Sequence, residues 1–89
     1  MLENIGALRK KIDEIDEKLV LLLRDRIELC KRIGAVKREN GIAIRDFQRE
    51  DEVYLNVMGK ALEAGIDPQK VENIFKGIVS LSVAVQGAE

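Results

Sequence analysis

Apolar residues recur along the first part of the chain in steps of three and four: Ile5, Leu8, Ile12, Ile15, Leu19, Leu22, Leu29, Ile33 and Val36. That spacing predicts one uninterrupted amphipathic helix from about residue 3 to about residue 39, roughly 55 Å long. Such a helix is too long for a compact monomer of 89 residues, so its seam is expected to pack on other helices, with association between chains helping a small core. One rung breaks the ladder. Arg26 stands where an aliphatic side chain is expected, and a guanidinium with five donors needs an acceptor from the protein or from a ligand.

Asn40-Gly41 stops the first helix, since both residues tolerate the left-handed conformation at a helix end. A short apolar connector, Ile42 to Arg45, follows, and Asp46 offers an oxygen to cap a second helix over about 47–64. Its inner face is expected to hold Phe47, Tyr54, Met58, Ala61 and Leu62, with Gly59 marking a close helix crossing. Gly65 ends it. Asp67-Pro68 then opens a third helix over about 68–87. Its apolar stripe, Val71, Ile74, Phe75, Ile78 and Val79, runs on into Ser82, Val85 and Gln86, so two polar side chains fall on the buried face. No repeat, linker or longer strand signal interrupts the pattern. The expected fold is all-α, with one long and two shorter helices in a single domain over 1–89.

Composition narrows the function. With 46% hydrophobic residues and few aromatics, the chain suits helices packed on helices. The net charge of −1 gives no reason to expect nucleic acid or an anionic membrane as partner. Residues 1–49 hold 12 Lys and Arg against 9 Asp and Glu, while residues 50–89 hold 3 against 7, so a small anion should draw its cations from the first half. Cys30 is the sole cysteine, which excludes an internal disulfide, and the absence of histidine removes the usual nucleophilic triads and Cys/His zinc sets. An inert, partly buried thiol is expected at Cys30. No signal-peptide core or membrane-spanning stretch is present, so a cytoplasmic location is expected.

What remains is a set of cations and hydrogen-bonding groups at helical spacing. Arg26 and Lys37 are eleven residues apart, nearly three turns, and project from almost one face, where they can bracket a small anion. Equally, Arg26 reads as a register-setting polar rung and Lys37 as a solvated charge. Asp46, Arg49 and Glu50 stand at the head of the second helix, where they also read as cap, exposed charge and dipole complement. Ser82 and Gln86 need hydrogen bonds, which a polar helix contact would also supply. Arg9 lies about 25 Å before Arg26 along a straight helix, so it cannot share a small ligand with Arg26 of its own chain. In an antiparallel dimer it can reach the partner's site.

The stretches LRKKIDEIDEKLVLLLRDRIELCKRIGAVK (8–37), IRDFQRE (44–50) and IFKGIVSLSVAVQ (74–86) together resemble the all-helical (class II) chorismate mutases. The resemblance implies an intertwined homodimer of three-helix chains that rearranges chorismate to prephenate in aromatic amino-acid biosynthesis, without metal, cofactor or covalent intermediate. It implies that Arg26 grips one substrate carboxylate and that Arg9 of the partner chain grips the other. Lys37 and Gln86 match the two donors to the ether oxygen. Glu50, with the backbone near Asp46, resembles the group that receives the ring hydroxyl, and Arg49 and Ser82 match polar residues lining the pocket. Two rival readings stand beside it. One is pyruvate elimination from isochorismate on the same scaffold, and the other is a non-enzymatic helical dimerisation module.

Overall fold

The computed structural model describes residues 3–88 and is built from three helices, with no strand among the described residues. Positions 1, 2 and 89 of the expected 1–89 unit lie outside the described residues. Helix α1 spans Ile5–Glu39, α2 Phe47–Glu63 and α3 Pro68–Gly87. Each start has a side-chain cap. Asn4 accepts from the Ala7 N–H at 3.2 Å, Asp46 from Arg49 at 3.0 Å and Asp67 from Gln69 at 2.9 Å, which satisfies one otherwise orphaned donor per helix. The Asn4 cap sets the start of α1 at Ile5, the first rung of the apolar ladder and two residues after the expected boundary of about residue 3.

Helices α1 and α2 end in the same way. Gly41 and Gly65 adopt φ of 63° and 74°, and the residue after each glycine donates back into the last turn, Ile42 to the Lys37 carbonyl at 2.8 Å and Ile66 to that of Ala61 at 2.9 Å. Both are left-handed caps that any side chain with a Cβ would strain.

Helix α3 is the centre of the chain, because α1 and α2 each pack against it and not against each other. The buried residues at these crossings are small: Cys30 and Gly34 from α1, Ala61 from α2, and Val79 and Ser82 from α3. The face of α1 turned toward α3 therefore centres on Cys30 and Gly34, with Ile27 partly covered one turn earlier. It lies beside the apolar ladder, not on it. The ladder itself is left open, with Ile15, Leu22, Leu29 and Val36 between 54% and 63% exposed.

Three expected inner positions also face outward: Phe47 is 66% exposed, Leu62 68% and Ile74 63%. Gly59 has no neighbour within 4 Å of where a β-carbon would stand, so it marks no crossing. The close crossing is at Gly34 instead, where a β-carbon would meet the backbone of Gln86.

The shape follows from this packing. The chain measures 62 × 25 × 15 Å with a radius of gyration of 16.7 Å, against about 12 Å for a compact domain of this length. Its accessible surface of 7208 Å² likewise exceeds the roughly 5,200 Å² of a compact monomer of this mass. No helix among the described residues is long and apolar enough to cross a membrane.

Candidate active site

Because α1 and α2 share α3 without touching, a cleft is left between them, floored by α3. It encloses about 240 Å³ and is lined by Arg26, Cys30, Ile33 and Lys37 of α1, Ile44 of the connector, Asp46 at its end, Arg49, Glu50 and Val53 of α2, and Val79, Ser82, Val83 and Gln86 of α3. The apolar members form the walls, and the polar ones enter from all three helices.

Arg26 reaches across α1 to α3 and donates through Nη1 to Oγ of Ser82, whose hydroxyl donates in turn to the Ile78 carbonyl at 2.8 Å. One hydroxyl satisfies only one of the five guanidinium donors. The side chain is therefore anchored and still has donors to give to an anion.

Lys37 stands in the last turn of α1, where a cation complements the helix dipole. Its ammonium donates to the Ile44 carbonyl and to Oε1 of Gln86, both at 2.7 Å. Two of its three hydrogens are used, and the third is available to the cleft. With Oε1 of Gln86 accepting from Lys37, the amide nitrogen is the end of Gln86 that has donors to give. The backbone of Gln86 is fixed as well. Its carbonyl accepts from Nη1 of Arg38, and it lies against Gly34.

On the α2 side, Asp46 caps the helix through its side chain while its carbonyl accepts from the Glu50 N–H at 3.0 Å. The Glu50 carboxylate is held by Arg45, whose Nε and Nη2 donate to its two oxygens at 2.9 and 3.0 Å. That hydrogen bond, with the adjacent negative charge, raises the Arg45 pKa above its ordinary value, so the guanidinium is charged at every relevant pH. The Arg45 guanidinium also lies 4.6 Å from the centre of the Phe47 ring, which explains the outward turn of Phe47. Arg49 borders the cleft, but its guanidinium points to Glu52 at 3.5 Å and is mostly exposed.

Seven of the eight residues singled out by sequence thus border one cleft: Arg26, Lys37, Asp46, Arg49, Glu50, Ser82 and Gln86. Arg9 does not. It is exposed on the N-terminal third of α1, four to five turns from Arg26. Sequence reading passed over Arg45, Arg38 and Gly34. Arg45 sits in what reads as a featureless connector, and the glycine signal that mattered was its place one turn before Lys37. No group of three or more potential metal-ligating side chains occurs among the described residues.

Comparison with known proteins gives a consistent picture. The family model described as chorismate mutase type II matches residues 8–87. A chorismate mutase of Methanocaldococcus jannaschii is 34% identical over 86 residues, covering 97% of this chain and 87% of that protein. A bifunctional chorismate mutase/prephenate dehydratase of Aquifex aeolicus is 33% identical over 88 residues, which is 96% of this chain and 24% of the longer protein. Among solved structures, a conserved hypothetical protein from Pyrococcus furiosus matches with a TM-score of 0.75 at 32% identity, over 97% of this chain and 99% of that one.

Proposed function

The chain belongs to the type II chorismate mutase family, and we propose that its catalytic centre is the cleft between α1 and α2, completed by a second copy of the chain. The protein is an isomerase of aromatic amino-acid biosynthesis that converts chorismate to prephenate. The reaction is intramolecular. A carbon–carbon bond forms as the ether carbon–oxygen bond breaks, nothing is gained or lost, and negative charge builds on the ether oxygen in the transition state.

The chain's task is therefore to hold a flexible dianion in its folded, reactive shape and to meet that developing charge. Arg26, anchored on Ser82, binds one carboxylate. Lys37 and the amide nitrogen of Gln86 donate to the ether oxygen, Glu50 with the backbone near Asp46 takes the ring hydroxyl, and Arg49 lines the entrance. The observation that carries this reading is the contact of Lys37 with Gln86 at 2.7 Å across the α1–α3 crossing. It supports the reading because the Lys37 ammonium and the Gln86 amide meet in a cleft that Arg26 also borders, where two held groups could meet the developing charge without large rearrangement.

The second carboxylate needs another cation, and Arg9 supplies it from the partner chain of an intertwined homodimer. Three features support this: the distance of Arg9 from its own cleft, the open ladder on α1, and an accessible surface well above that of a compact monomer. A further apolar depression along Leu29, Ile33 and Val36 lies on the same open side of α1. Packing it against a second copy would bury the seam that a single chain leaves in water.

Product analysis tests the reaction. Incubation with chorismate is expected to yield prephenate, and incubation with isochorismate no pyruvate. Pyruvate release from isochorismate, at a rate matching or exceeding prephenate formation, would move the assignment to the lyase.

A further inference from the structure

The mechanism above gives no part to Arg45, yet this side chain is bound more specifically than any other cation near the cleft. Its two nitrogens fork onto both oxygens of Glu50 at 2.9 and 3.0 Å, a geometry that a lysine cannot reproduce. Its guanidinium is braced by the Phe47 ring at 4.6 Å. The Glu50 side chain is 13% exposed and that of Arg45 53%, so the fork closes on Glu50 from the solvent side. Each carboxylate oxygen keeps a further lone pair, and Glu50 borders the cleft.

We propose that Arg45 is a positioning residue for Glu50, and that by fixing and neutralising this carboxylate it makes the subsite select a ring hydroxyl over a ring ammonium. The inference rests on Glu50 being the acceptor of the ring hydroxyl. A lone carboxylate prefers a cationic donor to a neutral one, because the charge-assisted hydrogen bond is the stronger. With a guanidinium forked onto its outer side, the carboxylate carries little net field into the cleft, and an ammonium placed against it meets a like charge nearby. The fork also immobilises a side chain that would otherwise lose rotamer freedom when substrate binds.

The test measures kcat and KM for the wild type, Arg45→Ala, Arg45→Lys, Glu50→Gln and the Arg45→Ala/Glu50→Gln pair. Two probes are used, chorismate and its analogue bearing an amine in place of the ring hydroxyl, the latter read as a competitive inhibitor where it is not turned over. Arg45→Ala is expected to lower kcat/KM for chorismate about tenfold, with Arg45→Lys restoring only part. Preference for chorismate over the amine should fall by a similar factor, and Arg45→Ala should add less than about twofold to the Glu50→Gln loss. Melting temperatures should stay near wild type, since Arg45 is half exposed.

Wild-type kcat/KM in Glu50→Gln would remove the acceptor reading itself. If Glu50→Gln is impaired, then a full Arg45→Ala loss in the Glu50→Gln background, or an unchanged preference between the two probes in Arg45→Ala, overturns the role of Arg45 alone.

Discussion

A β-carbon on Gly34 would stand 2.7 Å from Cα of Gln86 and closer still to its carbonyl oxygen. Helix α1 thus meets α3 at the residue that carries a proposed catalytic amide, one turn before Lys37. In an unconstrained helix, Gly→Ala stabilises by up to about 1 kcal/mol. Here the methyl group would press on backbone atoms that cannot swing aside, so Gly34→Ala is expected to part the two helix ends and separate Lys37 from Gln86. The predicted result is a fall in kcat/KM of about tenfold or more, with no gain in melting temperature. A more stable variant of full activity would show that the approach of Gly34 to Gln86 is unimportant.

Lys37→Ala and Arg26→Ala separate a site from a structural contact. Removing Arg26 leaves Ser82 with its own bond to the Ile78 carbonyl, so little folding stability is expected to be lost, about 1–2 kcal/mol at most. Loss of either cation removes charge stabilisation that a substrate dianion and its transition state require, and turnover should drop about 10²–10³-fold. Kinetics and circular dichroism melts on the same samples check both halves. Collapse of the fold with Arg26→Ala would favour a structural role for this half-buried cation.

The proposed role of Gln86 predicts the pH response. An amide donates at every pH, so kcat/KM is expected to hold steady at and above neutrality. In Gln86→Glu the same position donates only while the carboxyl is protonated. Its activity should therefore rise as pH falls and fade as pH rises through the carboxyl's pKa, ordinarily about 4.3 for Glu. Rate profiles from acid to alkaline pH compare the two. A wild type that loses turnover near neutral pH while folded, or a variant with a flat profile, contradicts the donor role.

The open ladder on α1 makes its own prediction. Leu22 is 63% exposed and Ile15 55%, and a charge at either position would lie in the expected seam between chains. Leu22→Glu should shift the species seen by analytical ultracentrifugation from twice the chain mass of 10.0 kDa toward the monomer, and activity should fall with it, since a seam charge without a partner is costly to bury. Wild-type mass and activity in this variant would place the contact elsewhere.

Much of this architecture is legible in the sequence because it depends on local chemistry. Asp67-Pro68, Asp46, Gly41 and Gly65 mark helix ends through their own side chains or their lack of one, so they read correctly without tertiary context. The face that α1 turns toward α3 does not. Cys30 and Gly34 are small, and a search for large aliphatics settles on the neighbouring stripe, which the single chain leaves exposed. For the same reason Gly59 reads as a crossing and Gly34 does not, because glycine spacing says nothing about which helix approaches. Arg26, Lys37, Ser82 and Gln86 stand out because polar groups interrupt or continue apolar stripes. Arg45 is hidden because its partner, Glu50, lies across a helix start, and only the turn of the connector brings them together.

Mixing two inactive variants tests most directly whether each site is completed by two chains. Arg9→Ala and Arg26→Ala are each expected to be nearly inactive alone. When they are unfolded together in equal amounts and refolded, half of the dimers should be mixed. In a mixed dimer one site holds both lesions and the other holds none, so activity should recover to about a quarter of wild type. No recovery, with mixed dimers shown to form by mass spectrometry, would contradict delivery of Arg9 from the partner chain.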